Sequence, residues 1–416
     1  MSRILLVGAG PAALAAAVAL RCHDLDGDLE VVDPSGAWLT AWRRRFAQQD
    51  IPHLRSPAVH HPHPDPFALL GHEGGDGLVP SGGTKLPTTD RFERFVDHLV
   101  EEAGLRDRVV PTAARALTLD ATGRATVHLA DGTSRRPDHV VLCTNARRPV
   151  VPGALRALDG SDLVEHGEWA DVRSVTPGER LVVIGGGLSA AHLALGAARR
   201  GATVVLLARR RLRVRRFDTH PSWLGPKKRR PFEAEPDPRR RRTIIDHARG
   251  GGSVPPRIRR DLQACVEAGS IDLRERAGVL RAETTGDRLV LHLEDGDRLR
   301  ADRIWSATGG SVDVAADALC RELLTRCPVP LAGGLPDLPP DLRWPGTNVH
   351  LTGFATGLRL GPTAGNLVGH RRAALRLVAS LRGTDPDLDD RIRAGAGACP
   401  GRRPVARPAS APGTRR

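Results

Sequence analysis

The segment Arg3–Leu20 reads RILLVGAGPAALAAAVAL: an apolar run, a glycine-containing turn, then a stretch rich in alanine and leucine. A second apolar run follows and ends at Asp33. This order is typical of a strand, a helix and a second, parallel strand. The segment Arg180–Arg199 and the apolar run that ends at Arg209 repeat it. The sequence therefore predicts an α/β protein with two Rossmann-like nucleotide-binding units, each built of three layers (ββα).

The chain is long enough for more than one domain, because its 416 residues exceed the size at which a single core usually stops growing. We expect a second nucleotide-binding domain, residues 166–298, to be inserted into the first, which would comprise residues 1–165 and 299–382. Residues 383–416 are rich in arginine, proline, alanine and glycine and show no hydrophobic periodicity. Such a composition predicts a disordered basic tail.

The first turn, Gly8–Ala13, reads GAGPAA and matches the G-x-G-x-x-A pattern of dinucleotide-binding units. Its first glycine permits a tight turn, its second lets the backbone approach a pyrophosphate, and its last small residue allows close helix packing. The acid that ends the second strand can accept hydrogen bonds from a ribose diol. An accidental glycine turn is the alternative. The residues predicted to bind this first nucleotide are Gly8, Gly10, Pro11, Ala13 and Asp33.

The second turn, Gly185–Ala190, reads GGGLSA and has the same spacing, but arginines stand where the first unit has its acid. An acid would repel a 2′-phosphate, whereas a guanidinium group can bind one through two hydrogen bonds. The turn therefore predicts NADPH, unless these arginines only reflect the arginine excess of the whole chain. The residues predicted to bind NADPH are Gly185, Gly187, Ser189, Ala190, Arg209 and Arg210.

Two nucleotide sites in one chain imply hydride transfer from NADPH to a tightly held acceptor, and FAD is suited because its ring accepts a hydride. The motif order, with VVLCTNA at Val140–Ala146, IWSATGG at Ile304–Gly310 and a late glycine-containing strand, resembles the two-dinucleotide-binding-domain flavoproteins over roughly residues 1–380. The six cysteines form no C-x-x-C pair, which argues against the thioredoxin-reductase and disulfide-reductase branches. Among the remaining branches, the chain resembles the lysine/ornithine N-monooxygenases and the flavin monooxygenases.

This resemblance implies further contacts to the cofactors. Trp38–Leu69 would contain flavin contacts, and His166–Trp169 would correspond to a linker of flavin monooxygenases. Leu360–Thr363 would precede a helix, with its amides facing the flavin. Phe354 departs from the family pattern, which has an acidic residue there, and Trp42 is equally well explained as a core aromatic. The residues that the resemblance places beside the FAD or at strand ends near a dinucleotide are Trp42, Leu54, Arg55, Thr144, Thr308, Gly309, Gly353, Leu360, Gly361 and Thr363.

The resemblance also implies a reaction. NADPH would reduce FAD, the reduced flavin would react with oxygen through a hydroperoxyflavin, and one oxygen atom would pass to a small substrate such as an amine. The predicted partners are this small molecule and oxygen; no catalytic side chain, metal ligand or oligomeric state is predicted. An NADPH-dependent reductase that inserts no oxygen is the alternative, and a basic nucleic-acid-binding protein on a Rossmann scaffold is a more remote one.

The net charge of +14 is the feature that could indicate a nucleic-acid partner. However, all basic residues except Lys85, Lys227 and Lys228 are arginine, which indicates a codon preference, and no nucleic-acid partner is predicted. No apolar run approaches the ~20 residues that cross a bilayer. No secretory signal pattern is present at the start of the sequence. We therefore expect a cytoplasmic protein without a membrane partner.

Two segments allow alternative interpretations. The histidines His53, His60, His61 and His63 are interrupted by prolines, which favours a polar loop over a metal site. The segment Phe217–Phe232 is either a lid that faces the substrate or a solvated connector.

Overall fold

The computed structural model describes residues 2–385 except 73–75, 145–146, 159 and 286–287, so most of the expected tail lies outside the described residues. Among the described residues, no helix combines the length and apolar character needed to span a membrane. The helices are α1 (Pro11–Cys22), α2 (Thr40–Gln48), α3 (Ala68–Gly71), α4 (Thr89–Glu102), α5 (Leu188–Arg199), α6 (Pro226–Ala234), α7 (Pro238–Arg249), α8 (Pro256–Glu267), α9 (Ala318–Arg326), α10 (Gly357–Leu360) and α11 (Leu367–Leu381). The strands are β1 (Arg3–Val7), β2 (Asp28–Val32), β3 (Leu78–Ser81), β4 (Thr84–Pro87), β5 (Val109–Val110), β6 (Ala114–Leu119), β7 (Ala125–Leu129), β8 (Ser134–Arg135), β9 (His139–Leu142), β10 (Arg147–Pro149), β11 (Val164–His166), β12 (Arg180–Ile184), β13 (Thr203–Ala208), β14 (Ile271–Glu275), β15 (Val279–Thr285), β16 (Arg288–Leu293), β17 (Arg298–Ala301), β18 (Arg303–Ser306), β19 (Gly310–Val312), β20 (Leu331–Ala332), β21 (Leu335–Pro336) and β22 (Val349–Leu351).

The first βαβ unit forms as predicted and belongs to a five-stranded parallel sheet with the order β22-β9-β1-β2-β5. Val7 pairs with Val32 on one side and with Leu142 on the other, so three strands end at the same edge. Helices α1, α4 and α11 share one core with this sheet. The β6-β7-β8 meander and α9 pack on its other face. Helix, sheet and meander are the three layers that the sequence predicts.

The second βαβ unit forms an equivalent sheet with the order β11-β18-β12-β13-β14. Ile184 pairs with Leu207 and with Ser306, so the strand ends again share one edge. Helices α5 and α8 pack on one face, and the β15-β16-β17 meander packs on the other. The prediction of two Rossmann-like units, the second inserted into the first, is confirmed.

Two short strands mark the crossing points between the units. β10 leaves the first unit, β19 returns to it, and the two pair antiparallel with Arg147 opposite Val312. The second unit was expected to span residues 166–298. Two strands of its sheet extend beyond these bounds, Val164–His166 at the start and Arg303–Ser306 at the end. The second unit is therefore longer at both ends than the sequence suggested.

Helices α6 and α7, which follow β13, do not pack on the second sheet. They share a small core with segments of the first unit, formed by Trp223, Phe232, Ile245, Ala332, Leu335 and Leu358. The ring of Phe232 and that of Trp223 lie about 3.5 Å from the position that a Cβ on Gly361 would occupy. The segment Phe217–Phe232 is thus docked on the first unit and is not a solvated connector.

Candidate nucleotide sites and the cavity between them

The first glycine turn is shaped by Gly8, which links β1 to α1. Its φ of +99° lies in a region that side chains rarely adopt, and its amide donates to the carbonyl of Val32. A Cβ placed on Gly8 would lie 3.2 Å from the carbonyl oxygen of Cys143. The small residues after β9 therefore lie directly beside the turn, as the sequence predicts.

The start of α1 is open. Its N-cap is Gly10, no side chain caps it, and Pro11 is its first residue. A Cβ built on Gly10 would meet no described atom within 4 Å, whereas Ala13 is fully buried. Uncapped amides at a helix N-terminus attract anions. The turn can therefore hold the pyrophosphate of a dinucleotide.

Asp33 lies at the end of β2 beside this turn, and its carboxylate already has three donors within the protein. Oδ2 accepts from the amide of Ala9 at 2.9 Å, while Oδ1 accepts from the amide of Ser35 at 2.9 Å and from its hydroxyl at 2.6 Å. A carboxylate has about four acceptor positions. Oδ2 therefore retains room for one hydroxyl, and the ribose contact stays a prediction.

The second glycine turn repeats the first. Gly185 has a φ of +156°, and a Cβ on it would overlap the carbonyl oxygen of Ala307, which follows β18. The same Cβ would lie 3.0 Å from that of Ala190, so a small residue is needed there. Gly187 is the N-cap of α5, again without a side-chain cap, and Ser189 lies in the first turn of this helix.

The arginines that follow β13 lie at the expected edge of the second sheet. Arg209 and Arg210 are exposed, and Arg210 donates to the carbonyl of Gly250 at 3.0 Å. Arg213, which sequence reasoning did not select, donates to the same carbonyl. Its place in the arginine-rich segment Arg209–Arg213 is the sequence feature that could have identified it. The phosphate contact of Arg209 and Arg210 remains a prediction.

The strand-end threonines are held by the protein. The hydroxyl of Thr144 donates to Oδ2 of Asp317 at 3.1 Å, and that of Thr308 donates to the carbonyl of Val150. The carbonyl of Gly309 accepts from Nε2 of His166 at 2.9 Å, which fixes the linker between the units. Two further residues of the first strand end, 145 and 146, lie outside the described residues.

A cavity of about 230 Å³ lies between the two units. A wider groove of about 510 Å³ lies at the amino ends of β9 and β22, on the edge opposite the glycine turns. Ligands of Rossmann-type sheets bind at the carboxyl ends of the strands, which favours the smaller cavity. Both units and the Phe217–Phe232 segment line it, through Arg55, Ser56, Pro57, His60, Leu188, Phe217, Asp218, Thr219, Pro221, Leu224 and Asn366.

Arg55 lines this cavity, but its guanidinium points to the second unit. It donates to the carbonyls of Arg215 and Arg216 at 2.7 and 3.0 Å and to the carbonyl and hydroxyl of Ser253 at 3.1 and 2.9 Å. These bonds saturate most of its donors. The predicted flavin contact of Arg55 remains a prediction, as does that of neighbouring Leu54, which is buried in the first core.

The histidines of the neighbouring loop are partly or completely buried. Burial, followed by the charges of Arg371 and Arg372, lowers the pKa of His60 to about 4, so this cavity residue is neutral at physiological pH. His61 is completely buried and its Nε2 lies 3.2 Å from the carbonyl of Pro66. Within the described ranges, no group of three or more histidine, cysteine or acidic residues could hold a metal ion.

Trp42 belongs to the core of the first unit. Its ring stacks on Phe46 at a centroid distance of 3.7 Å and lies 5.1 Å from the ring of Phe92. The core interpretation, one of two that the sequence allows, explains these contacts without a flavin.

The late glycine segment follows β22. Gly353 has a φ of +70°, and the ring of Phe354 lies 5.6 Å from the guanidinium groups of Arg147 and Arg249. Leu360, Gly361 and Thr363 are buried. They precede a long helix, as expected: α11 begins at Leu367 and is capped by the side chain of Asn366. Their contact with the flavin remains a prediction. Asn366 reaches the cavity, and the sequence pattern did not single it out.

Comparisons with known proteins agree with this geometry. The sequence pattern of the pyridine nucleotide-disulphide oxidoreductases matches residues 2–224, more than half of the chain. No curated protein matches the sequence of this chain. Similar folds occur in ornithine hydroxylase from Pseudomonas aeruginosa (18% identity, 92% of this chain and 99% of that chain, TM-score 0.73) and in ornithine N-hydroxylase from Kutzneria sp. 744 (17%, 92% and 99%, TM-score 0.71). Bacillithiol disulfide reductase from Staphylococcus aureus is similar at 16% identity, with 92% and 98% covered and a TM-score of 0.60.

Proposed function

Because the chain belongs to the pyridine nucleotide-disulphide oxidoreductase family, we propose that this oxidoreductase is an FAD-dependent monooxygenase that uses NADPH and oxygenates a small molecule such as an amine. The observation that carries the proposal is the pair of equivalent glycine turns, each at the carboxyl edge of its sheet, with a cavity lined by both units. Hydride transfer requires two nucleotides whose reactive rings meet, and a cavity between the sites supplies the place.

FAD fits the first turn. The open space at Gly10 and the uncapped start of α1 suit its pyrophosphate, and the free acceptor position on Asp33 suits its ribose. Bound there, FAD would supply hydride acceptance and the activation of oxygen. Its flavin end would extend toward the cavity between the units.

We assign NADPH to the second turn, where Gly187 begins α5 and the exposed Arg209 follows β13. A guanidinium group at this strand end favours a 2′-phosphate over a free ribose hydroxyl. The solved structure of the Kutzneria enzyme contains reduced FAD, NADP+ and L-ornithine, which supports the same cofactor pair here.

The cavity suits a small substrate that must react away from water. Its volume of about 230 Å³ is that of a small molecule, and Leu188, Phe217 and Leu224 provide apolar walls. Asp218 is the acidic residue among the cavity-lining residues and lies 3.7 Å from Arg249. A carboxylate at this point can orient a substrate ammonium group. Neutral His60 can donate one hydrogen bond and accept another without adding charge to the cavity.

The four cysteines that the structure describes as free give no support to disulfide reduction. The thiols of Cys143, Cys265, Cys320 and Cys327 are free, and the sequence contains no C-x-x-C pair. Cys143 lies beside the first glycine turn, where burial raises the pKa of its thiol to about 12. Because the thiolate is the reactive form, a thiol held neutral cannot act as the redox nucleophile.

The experiment that tests this proposal compares NADPH consumption with product formation in air. We expect purified protein to carry FAD, to prefer NADPH to NADH, and to convert at least one amine in a diamine and amino-acid screen into its hydroxylamine. Stoichiometric hydrogen peroxide with every substrate, or full activity with an artificial electron acceptor and none with oxygen, would instead favour the reductase. A protein that cannot be loaded with FAD would contradict both.

A further inference from the structure

The two glycine turns differ in what lies over them. The space above Gly10 in the first turn is open among the described residues. In the second turn, the Cα of Gly252 lies 3.4 Å from the position of a Cβ on Gly187. A Cβ on Gly252 would in turn lie 2.5 Å from the Cα and 2.9 Å from the amide nitrogen of Gly187. Backbone therefore covers the amide that a bound pyrophosphate would approach.

The covering segment is Gly250–Ser253, here called the glycine lid. It follows α7, and Gly250 and Gly251 adopt φ values of +58° and +80°. The carbonyl of Gly250 accepts from both Arg210 and Arg213. Two guanidinium groups suited to a phosphate are thus bonded to the lid, and a nucleotide would offer them a charged partner in place of a neutral carbonyl.

Arg55 of the first unit holds the other end of the lid. Two of its four hydrogen bonds go to Ser253, and two go to the carbonyls of Arg215 and Arg216. The 213–215 segment is itself paired with Val254, whose amide donates to the carbonyl of Arg213 at 2.9 Å. Burial lowers the pKa of Arg55 to about 10, so the side chain remains charged at neutral pH.

We propose that the glycine lid competes with NADPH for the phosphate-binding turn at Gly187, and that Arg55 is the positioning residue that keeps the lid seated. This inference rests on the proposed NADPH role of that turn. Binding would displace Gly252 from Gly187 and transfer Arg210 and Arg213 from the Gly250 carbonyl to the nucleotide. Because Arg55 also lines the cavity, the state of the lid and the occupancy of the cavity would be linked.

The test measures NADP+ binding to the FAD-loaded protein by titration calorimetry. Gly252→Ala should prevent the lid from seating, since its Cβ would overlap Gly187, and should lower the Kd for NADP+ about 3- to 10-fold. The matched control is Gly225→Ala, where an added Cβ meets no described atom within 4 Å. It should leave the Kd unchanged. Unchanged or weaker binding by Gly252→Ala would overturn the proposal.

Arg55→Gln provides an independent variant, because it releases the lid without adding a group to it. It should also tighten NADP+ binding, and the double variant should bind no more tightly than Gly252→Ala alone, because both changes unseat the same lid. Additive effects would show that Arg55 acts elsewhere. If neither the wild type nor any variant binds NADP+ while FAD absorbance is normal, the NADPH role of the turn fails and the lid proposal fails with it.

Discussion

Gly8 and Gly185 set the shape of the two nucleotide turns through a close approach to the neighbouring strand end. Each has a positive φ, and each faces a carbonyl oxygen, that of Cys143 or that of Ala307. The contact is tighter at Gly185, where Ala190 also lies close. A side chain at Gly185 would therefore be strained by its backbone conformation and by its surroundings.

Gly185→Ala should destabilise the protein by about 1–3 kcal/mol, because positive φ and carbonyl overlap both oppose the added methyl group. Urea unfolding followed by far-UV circular dichroism measures the change. Gly153→Ala is the control, since a Cβ there meets no described atom within 4 Å and its φ is not positive. Equal effects of the two substitutions would argue against the described turn.

Arg209 is expected to set the preference for NADPH. Arg209→Gln should raise the KM for NADPH about 10- to 100-fold, the range of one charge-assisted hydrogen bond, and should leave the KM for NADH nearly unchanged. Arg240→Gln removes another exposed arginine and serves as the control. An equal rise of the KM values for NADPH and NADH would mean that Arg209 does not contact the 2′-phosphate.

At the level of helices and strands, an element could be predicted from the sequence when its pattern is local. The βαβ units were predictable because strand, glycine turn and helix lie within about 30 residues and each leaves its own periodicity. The docking of α6 and α7 on the first unit could not be predicted, because it depends on contacts with distant segments. The bonds of Arg55 to Ser253 are equally invisible in a linear pattern.

Helix α1 shows why the first unit needs small residues. Residues 12–20 are all buried, and the helix shares its core with the first sheet and α11. At its alanine positions the backbone of α1 can pack close to its neighbours, so a larger side chain has no space there.

Ala16→Leu should therefore destabilise the protein by about 1–3 kcal/mol through overpacking, as measured by denaturant unfolding. Ala234→Leu, at the exposed end of α6, is the matched substitution and should change stability by less than about 0.5 kcal/mol. A neutral Ala16→Leu would show that α1 is not enclosed as described.

For the whole molecule, polar contacts between the units fix their relative position. Arg55 bonds to the second unit, Nε2 of Gln49 donates to the carbonyl of Gly167 at 2.9 Å, and Asp50 pairs with Arg199 at 2.8 Å and Arg200 at 3.3 Å. None of these ties was predicted, because each joins residues more than 100 positions apart. The units themselves followed from the sequence, and their docking required the structure.

The Asp50 pair should give stability a specific pH dependence. The hydrogen bond to Arg199 holds the pKa of Asp50 below its ordinary value. The stabilisation is therefore complete above the unfolded-state pKa, near pH 4, and is lost as pH falls through the folded-state pKa. Asp50→Asn should cost at most about 1 kcal/mol at pH 7, because the pair is partly exposed, and the difference should shrink at more acidic pH. A difference that grows below pH 4 would contradict this assignment.

Anaerobic titration of the FAD-loaded protein with NADPH tests most directly whether the two sites converge on one cavity. We expect one equivalent of NADPH to bleach the oxidised-flavin absorbance in a rapid single-turnover reaction, and NADH to do so far more slowly. Tight binding of both nucleotides without flavin reduction would place the nicotinamide and the flavin too far apart and would contradict this expectation.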